Sequence, residues 1–152
     1  MRKYYFLVLG MFLFAGVKAQ IINFPDANFK AALLMADTSN NIASNLLNNS
    51  FKIDSNSNGE IEVSEALQVT RLYVQNSNIS DLTGINYFTN IYALGCNNNR
   101  ISSLNFSTLT QLKYLDCSQN QLTNLNVNIF TNLIKLWCSN NQLTSLNINS
   151  LN

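Results

Sequence analysis

The side chains able to do chemistry are concentrated in one run of twelve residues. Asp54, Asn56 and Asn58 alternate with serines, Gly59 follows, and Glu60, Glu62 and Glu65 complete the run. All six offer oxygen, and closely spaced oxygen donors suit a hard divalent cation. Paired carboxylates could instead act as general acid and base, Glu60 with Glu62 or Glu62 with Glu65. They serve an ion better, and Asp116 is the only acid in its column, so the sequence argues against an enzyme. Histidine is absent, which removes imidazole catalysis and histidine-ligated zinc. Nothing in the chain matches a phosphate-binding loop or a nucleophile elbow.

Residues 54–65 match D-x-[DN]-x-[DN]-G-x5-E at every specified position and resemble an EF-hand loop. The resemblance implies calcium as a structural cofactor. Asp54, Asn56 and Asn58 would give side-chain oxygens and Glu60 its backbone carbonyl. Glu62 would act directly or through water, and Glu65 would bind with both oxygens. Gly59 would permit the turn, and Ile61 would face inward. Two features depart from the family: residues 45–52 make a poor incoming helix, and no second loop exists to form a pair. Stiffening therefore suits the site better than switching. With neutral Asn at two ligand positions the expected affinity is near ~10⁻⁴ M, as in extracellular modules.

The element that must carry this loop is a repeat array. In the second half Leu94, Leu115 and Leu136 recur at one fixed spacing, as do Cys96, Cys117 and Cys138, and Asn99, Asn120 and Asn141. Ile101, Leu122 and Leu143 continue the register, followed by Leu104, Leu125, Leu146 and by Phe106, Val127, Ile148. Leu109, Phe130 and Leu151 close it, with Ile91, Leu112 and Leu133 upstream. An earlier copy starts at Leu72, is one residue longer around Gly84, and has Ser77 in the asparagine column. The pattern L-x-x-L-x-C-x-x-N-x-L resembles the leucine-rich repeat. That resemblance implies an α/β solenoid of about four repeats, each 21–22 residues long, with one short parallel strand per repeat on the concave face.

No single repeat buries enough apolar surface to fold alone, so stacked neighbours must share a core, at about 1.5–3 kcal/mol per buried side chain before entropy. The asparagines should form a ladder, each amide serving peptide groups that a sharp inward turn would otherwise bury unpaired. Ser77 predicts a looser first turn. The cysteines face the core in parallel, stacked at about the strand spacing of 4.8 Å, which favours buried reduced thiols over a disulfide.

Ahead of the repeats, Arg2 and Lys3 precede an uncharged run from Tyr4 to Val17, closed by Lys18 and Ala19. This has the form of a secretory signal peptide over 1–19, too short for a membrane span. Residues 20–68 are expected to form a helical cap containing the loop 54–65, with a helix from about Pro25 to Ala36 and a second after Val63. Ile42, Leu46, Leu47 and Phe51 should help cover the first repeat. Residues 69–152 hold the repeats, the last incomplete, so the chain is expected to be a fragment or an early-terminated member of a longer family. The order of these parts resembles secreted leucine-rich repeat proteins of Bacteroidetes-type bacteria, and the first repeat resembles internalin-type repeats.

Charge and composition narrow the function. Nine Lys and Arg against eight Asp and Glu give no basic surface for nucleic acid. The chain is 47% apolar and only 11% charged, enough to form a core and too apolar for a disordered chain. Strand alternation turns the residues between the leucines and cysteines toward the concave face. Arg71, Tyr73, Tyr114, Asp116, Lys135 and Trp137 fall there, and aromatic and arginine side chains are frequent interface anchors. The sequence thus points to a secreted or bacterial cell-surface module that binds a protein or glycan through its concave face. A calcium-stiffened spacer or coat protein without a specific ligand is the competing reading.

Overall fold

The computed structural model describes residues 19–147. The expected signal peptide before Ala19 and the column positions Ile148 and Leu151 lie outside the described residues.

The chain enters along Gln20–Ile22, which is stitched to the twelve-residue loop. Ile22 N–H donates to the carbonyl of Ile61 and Val63 N–H to that of Gln20, both at 2.9 Å. Helix α1, Ala27–Leu34, begins at Asp26, whose carboxylate accepts from the amides of Asn28 and Phe29. Asp26 is thus the N-cap and not a first-turn residue. One face of α1 buries Phe29, Ala32 and Leu33, the i, i+3, i+4 spacing of a core-facing stripe. The helix stops at Met35, whose carbonyl accepts from the Asn40 side chain. A short helix α2, Val63–Ala66, begins in the last residues of the loop, with the Glu65 carboxylate accepting from Glu62 N–H at 3.0 Å.

Two apposed surfaces join α1 to the repeats. Phe24 packs edge-on against Phe29 and tilts against Phe88 of the first repeat. Its ring lies where a Cβ on Gly84 would come within 2.6 Å, and Gly84 also has φ +103°, so only glycine fits there. Alongside, the second oxygen of Asp26 accepts from Ser80 N–H, Ser80 hydroxyl and Asp81 N–H at 2.7, 2.8 and 3.1 Å.

The main sheet runs β1 (Ala43–Ser44), β2 (Arg71–Tyr73), β3 (Ala93–Gly95), β4 (Tyr114–Asp116) and β6 (Lys135–Trp137). Strands β2, β3, β4 and β6 are parallel and in repeat register, Leu72, Leu94, Leu115 and Leu136 lying side by side. The sequence implied one strand per repeat, and the structure differs at two places. Strand β1 adds to the edge antiparallel to β2. A separate two-stranded sheet pairs β5 (Asn124–Asn126) in parallel with β7 (Ser145–Asn147); Leu125 is buried between the outward Asn124 and Asn126, while Leu146 is exposed.

One contiguous core runs from Ile22 and Phe29 through Leu72, Ile91, Leu94, Leu115 and Leu122 to Phe130. Leu46 and Leu47 do not cover the first repeat as expected: they are 80% and 79% exposed. A tight turn turns them outward, with Asn45 accepting at its side chain from Leu47 and Asn49 and Asn48 left-handed at φ 62°.

The asparagine column forms the expected ladder, and each rung reaches backward. Asn99, Asn120 and Asn141 donate to carbonyls of their own turn and also to Val74, Cys96 and Cys117 of the repeat before. Their side-chain oxygens accept from Ile79, Ile101 and Leu122 of that same earlier repeat. The first turn is therefore not left open by Ser77. Its amide is held by Asn99 Oδ1, and its hydroxyl donates to the Gln75 carbonyl. Cys96 and Cys117 are buried, Cys138 is half-buried, and all three are free thiols. Burial first, then the neighbouring sulfur and Asp116, raises the Cys96 thiol well above its ordinary value; the same causes push Cys117 up to about 12.

Candidate functional site

Two groups of residues were candidates from the sequence, and the structure places them on different parts of the molecule. The first is the loop 54–65, held by its own peptide groups. Asp54 accepts from the amides of Asn58 and Gly59, Asn56 Oδ1 from Asn58, and Asn58 Oδ1 from Glu60. Gly59 takes φ +79° and Ser57 φ 61°, the left-handed bends that fold the run back on itself. Ile61 is fully buried.

Within this loop Asp54, Glu62 and Glu65 are only 5%, 3% and 6% exposed. Glu65 accepts from Ser55 N–H and hydroxyl as well as from Glu62 N–H. Both side-chain amides, of Asn56 and Asn58, donate to the Glu62 carboxylate. Its hydrogen bonding with Glu65 and then with Asn58 holds the Glu62 pKa below the usual carboxylate range. The one ion pair among the described residues, Lys30 with Glu60 at 2.7 Å, lies outside this buried trio. All donors are oxygen, and three buried carboxylates without a cationic partner are a donor set that a divalent cation would complete. Among the described residues no three acidic or cysteine side chains are gathered tightly around a common point.

The second group lies on the outer face of the main sheet. Arg71, Tyr73, Tyr114, Asp116 and Trp137 line one open hollow of about 640 Å³. Lys135 does not line it; its ammonium lies 6.0 Å from the centre of the Trp137 ring. The Asp116 carboxylate accepts from Ser118 N–H and hydroxyl at 3.1 and 2.6 Å. Arg71 is anchored toward β1, donating to Ser44 Oγ and to the Asn48 carbonyl, both at 3.2 Å, while its Nε is buried without a partner.

Tyr92, Asn97 and Gln75 also line the hollow and were not among the candidates. Tyr92 stands one place before β3, outside the strand alternation that selected the others. Its hydroxyl donates to Asn48 Oδ1 at 2.9 Å, a contact between distant parts of the chain. The available signal was the recurrence of aromatic side chains at and beside the strand positions, Tyr73, Tyr92, Tyr114 and Trp137.

Gly95 forms the floor. A Cβ there would stand 2.7 Å from Cδ1 of Tyr73, so the absent side chain is what lets the edge of that ring come down beside β3.

In-register parallel strands, a shared leucine core and a backward-bonding asparagine ladder define a leucine-rich repeat solenoid. Its particular form is internalin-like. The chain is similar to the solved functional domain of InlJ from Listeria monocytogenes, a structure described as including a cysteine ladder. Identity is 29% and the TM-score 0.60, over 88% of this chain and 27% of that one. It is also similar in fold to the internalin InlF from Listeria monocytogenes strain 4b F2365, with 23% identity and a TM-score of 0.59 over 88% and 40% of the two chains. This chain therefore spans well under half the length of either internalin. No family model matches it, and no curated protein does. No helix among the described residues is long and apolar enough to cross a membrane.

Proposed function

We propose that the chain is a secreted or cell-surface binding module that recognises a protein or glycan partner through the outer face of its main sheet. The observation that carries this reading is the hollow. Five of the six residues selected by strand alternation line one space of ligand size, walled by rings and floored by strands β2 to β4. A spacer without a ligand has no need for aromatic side chains gathered over a glycine-floored depression. Residues 1–19 act as its export signal, 20–68 as the cap of the solenoid and 69–152 as the repeats. Likeness to the internalin InlJ supports export.

The test uses a photo-crosslinking residue placed at Tyr114, with a matched one at Asn124 on β5. Crosslinks to material from the bacterial or contacted cell surface that form at 114 and not at 124 support the reading. Equal labelling, or none, favours the spacer.

Calcium in the loop 54–65 is the second part of the proposal. Asp54, Asn56, Asn58, Glu60, Glu62 and Glu65 would hold it, and its charge would neutralise the buried carboxylates. Binding would exchange the Asn56 and Asn58 donors on Glu62 for a shared cation and so stiffen the join between Gln20–Ile22 and α2. The expected result is calorimetric binding near ~10⁻⁴ M and a higher melting temperature with calcium than with chelator, both lost in Glu65→Gln. Absence of heat and of any melting shift refutes it.

A further inference from the structure

We infer that the hollow over β2–β4 is a subsite for a neutral pyranose ring of a glycan chain, an inference that rests on the proposed use of this face. The charges in the hollow are the first reason. Arg71 and Asp116 are its only formal charges and are of opposite sign. No net field selects an anion or a cation. A cationic ligand is further opposed by Lys135, whose ammonium already approaches the Trp137 ring.

The kinds of side chain are the second reason. Four aromatic residues, Tyr73, Tyr92, Tyr114 and Trp137, line it, with no aliphatic side chain among them except the buried Leu94 and the methyl of Ala93. Flat aromatic faces suit the C–H face of a sugar ring better than a branched apolar side chain, which needs a deep slot. Between the rings stand Arg71, Gln75, Asn97 and Asp116, planar groups able to make paired hydrogen bonds with neighbouring hydroxyls. An apolar peptide side chain in the same place would cut the Gln75 and Asn97 amides off from water without offering them a partner. A polyol satisfies them.

Gly95 is the third reason. Because a side chain there would collide with the edge of the Tyr73 ring, glycine keeps the floor at backbone level and leaves that ring its place beside it. That shallow, ring-bordered floor is the shape a pyranose needs for stacking. Gly95 is thus a positioning residue, acting through Tyr73.

Trp137 is the chain's single tryptophan and is 46% exposed, so its fluorescence reports on this hollow alone. The experiment titrates the full chain with cellohexaose, laminarihexaose and chitohexaose, and separately with a pool of random-sequence peptides. The expected result is a saturable change in Trp137 emission with at least one oligosaccharide. Affinity should fall roughly tenfold in Tyr114→Ala, which leaves Trp137 in place, and also in Gly95→Ala. Both variants must keep the wild-type far-ultraviolet dichroism, and Asn124→Ala should bind as wild type. If the peptides move the emission and the sugars do not, the sugar inference falls while the binding face stands. Silence with every probe overturns both. Sugar binding unchanged in folded Tyr114→Ala and Gly95→Ala overturns the assignment to this hollow.

Discussion

Replacing Asn120 by alanine tests the ladder at its best-defined rung. The side chain is 8% exposed. Its amide group donates to the carbonyls of Cys96, Cys117 and Ser118 at 3.0, 3.2 and 3.1 Å, and its Oδ1 accepts from Ile101 N–H at 3.0 Å. These losses are unequal. The three carbonyls keep another donor each, from the Asn99 side chain, the Asn141 side chain and the Asn98 amide. Losing one of two donors should cost each carbonyl about 0.5 kcal/mol. The Ile101 amide, on a fully buried residue, keeps none, at about 1–3 kcal/mol. Asn120→Ala should therefore destabilise by about 3–4 kcal/mol and lower the melting temperature by roughly 10–15 °C for a chain of this size. Asn124→Ala, on the exposed side of β5, should change stability by no more than about 0.5 kcal/mol. Denaturant unfolding measures both, and hydrogen exchange at Ile101 should accelerate selectively in the first variant. Equal shifts in the two variants, or an Ile101 amide as protected as before, would refute the reasoning.

Asp26 couples α1 to the first repeat, and its pKa carries a pH signature. Burial opposes its ionisation, but the Ser80 and Phe29 amides outweigh that and hold the pKa below its ordinary value. A depressed folded pKa means that its stabilisation is present above the unfolded value near 3.8 and disappears as pH falls through the lower folded value. Asp26→Asn should cost about 1–2 kcal/mol at pH 7, discounted for partial exposure, and should flatten acid unfolding below about pH 4. Gln119 holds φ 54° in a column otherwise filled by Asn76, Asn98 and Asn140. Gln119→Gly should gain about 0.5 kcal/mol and Gln119→Val should lose about 1 kcal/mol or more, measured by urea midpoints. With a maleimide at pH 8, Cys138 should label in the native protein, while Cys96 and Cys117, with raised thiol pKa values, should label only on unfolding. Rapid labelling of all three would contradict the buried ladder.

The repeat register was legible because periodicity repeats the same evidence in each copy. Leu94, Leu115 and Leu136 need not be individually diagnostic when their neighbours recur with them. Strand β1 was not legible: it is two residues long, antiparallel, and occurs once, so nothing in its sequence distinguishes it from the surrounding turns. The same single occurrence misled the reading of Leu46 and Leu47, whose apolarity suggested burial, while Asn45 and Asn48 set a turn that points them outward. On the outer face of the main sheet, alternation found Tyr73, Tyr114 and Trp137 but missed Tyr92, which enters the hollow from outside its strand. The loop's acidic content was plain from its spacing. That its asparagine amides would cluster around Glu62 depended on how the chain folds back, which spacing alone does not specify.

Because each asparagine fastens the coil that precedes it, the ladder has a direction, and that direction constrains how such a gene can grow. A tandem duplication of one whole period supplies a new bracket together with the coil it must brace, wherever along the array the crossover falls. An insertion or deletion out of phase would leave one coil clasped by the wrong side chain and another unclasped. Length can thus drift by whole units at little structural risk, while the face presented to a partner widens or narrows one strand at a time.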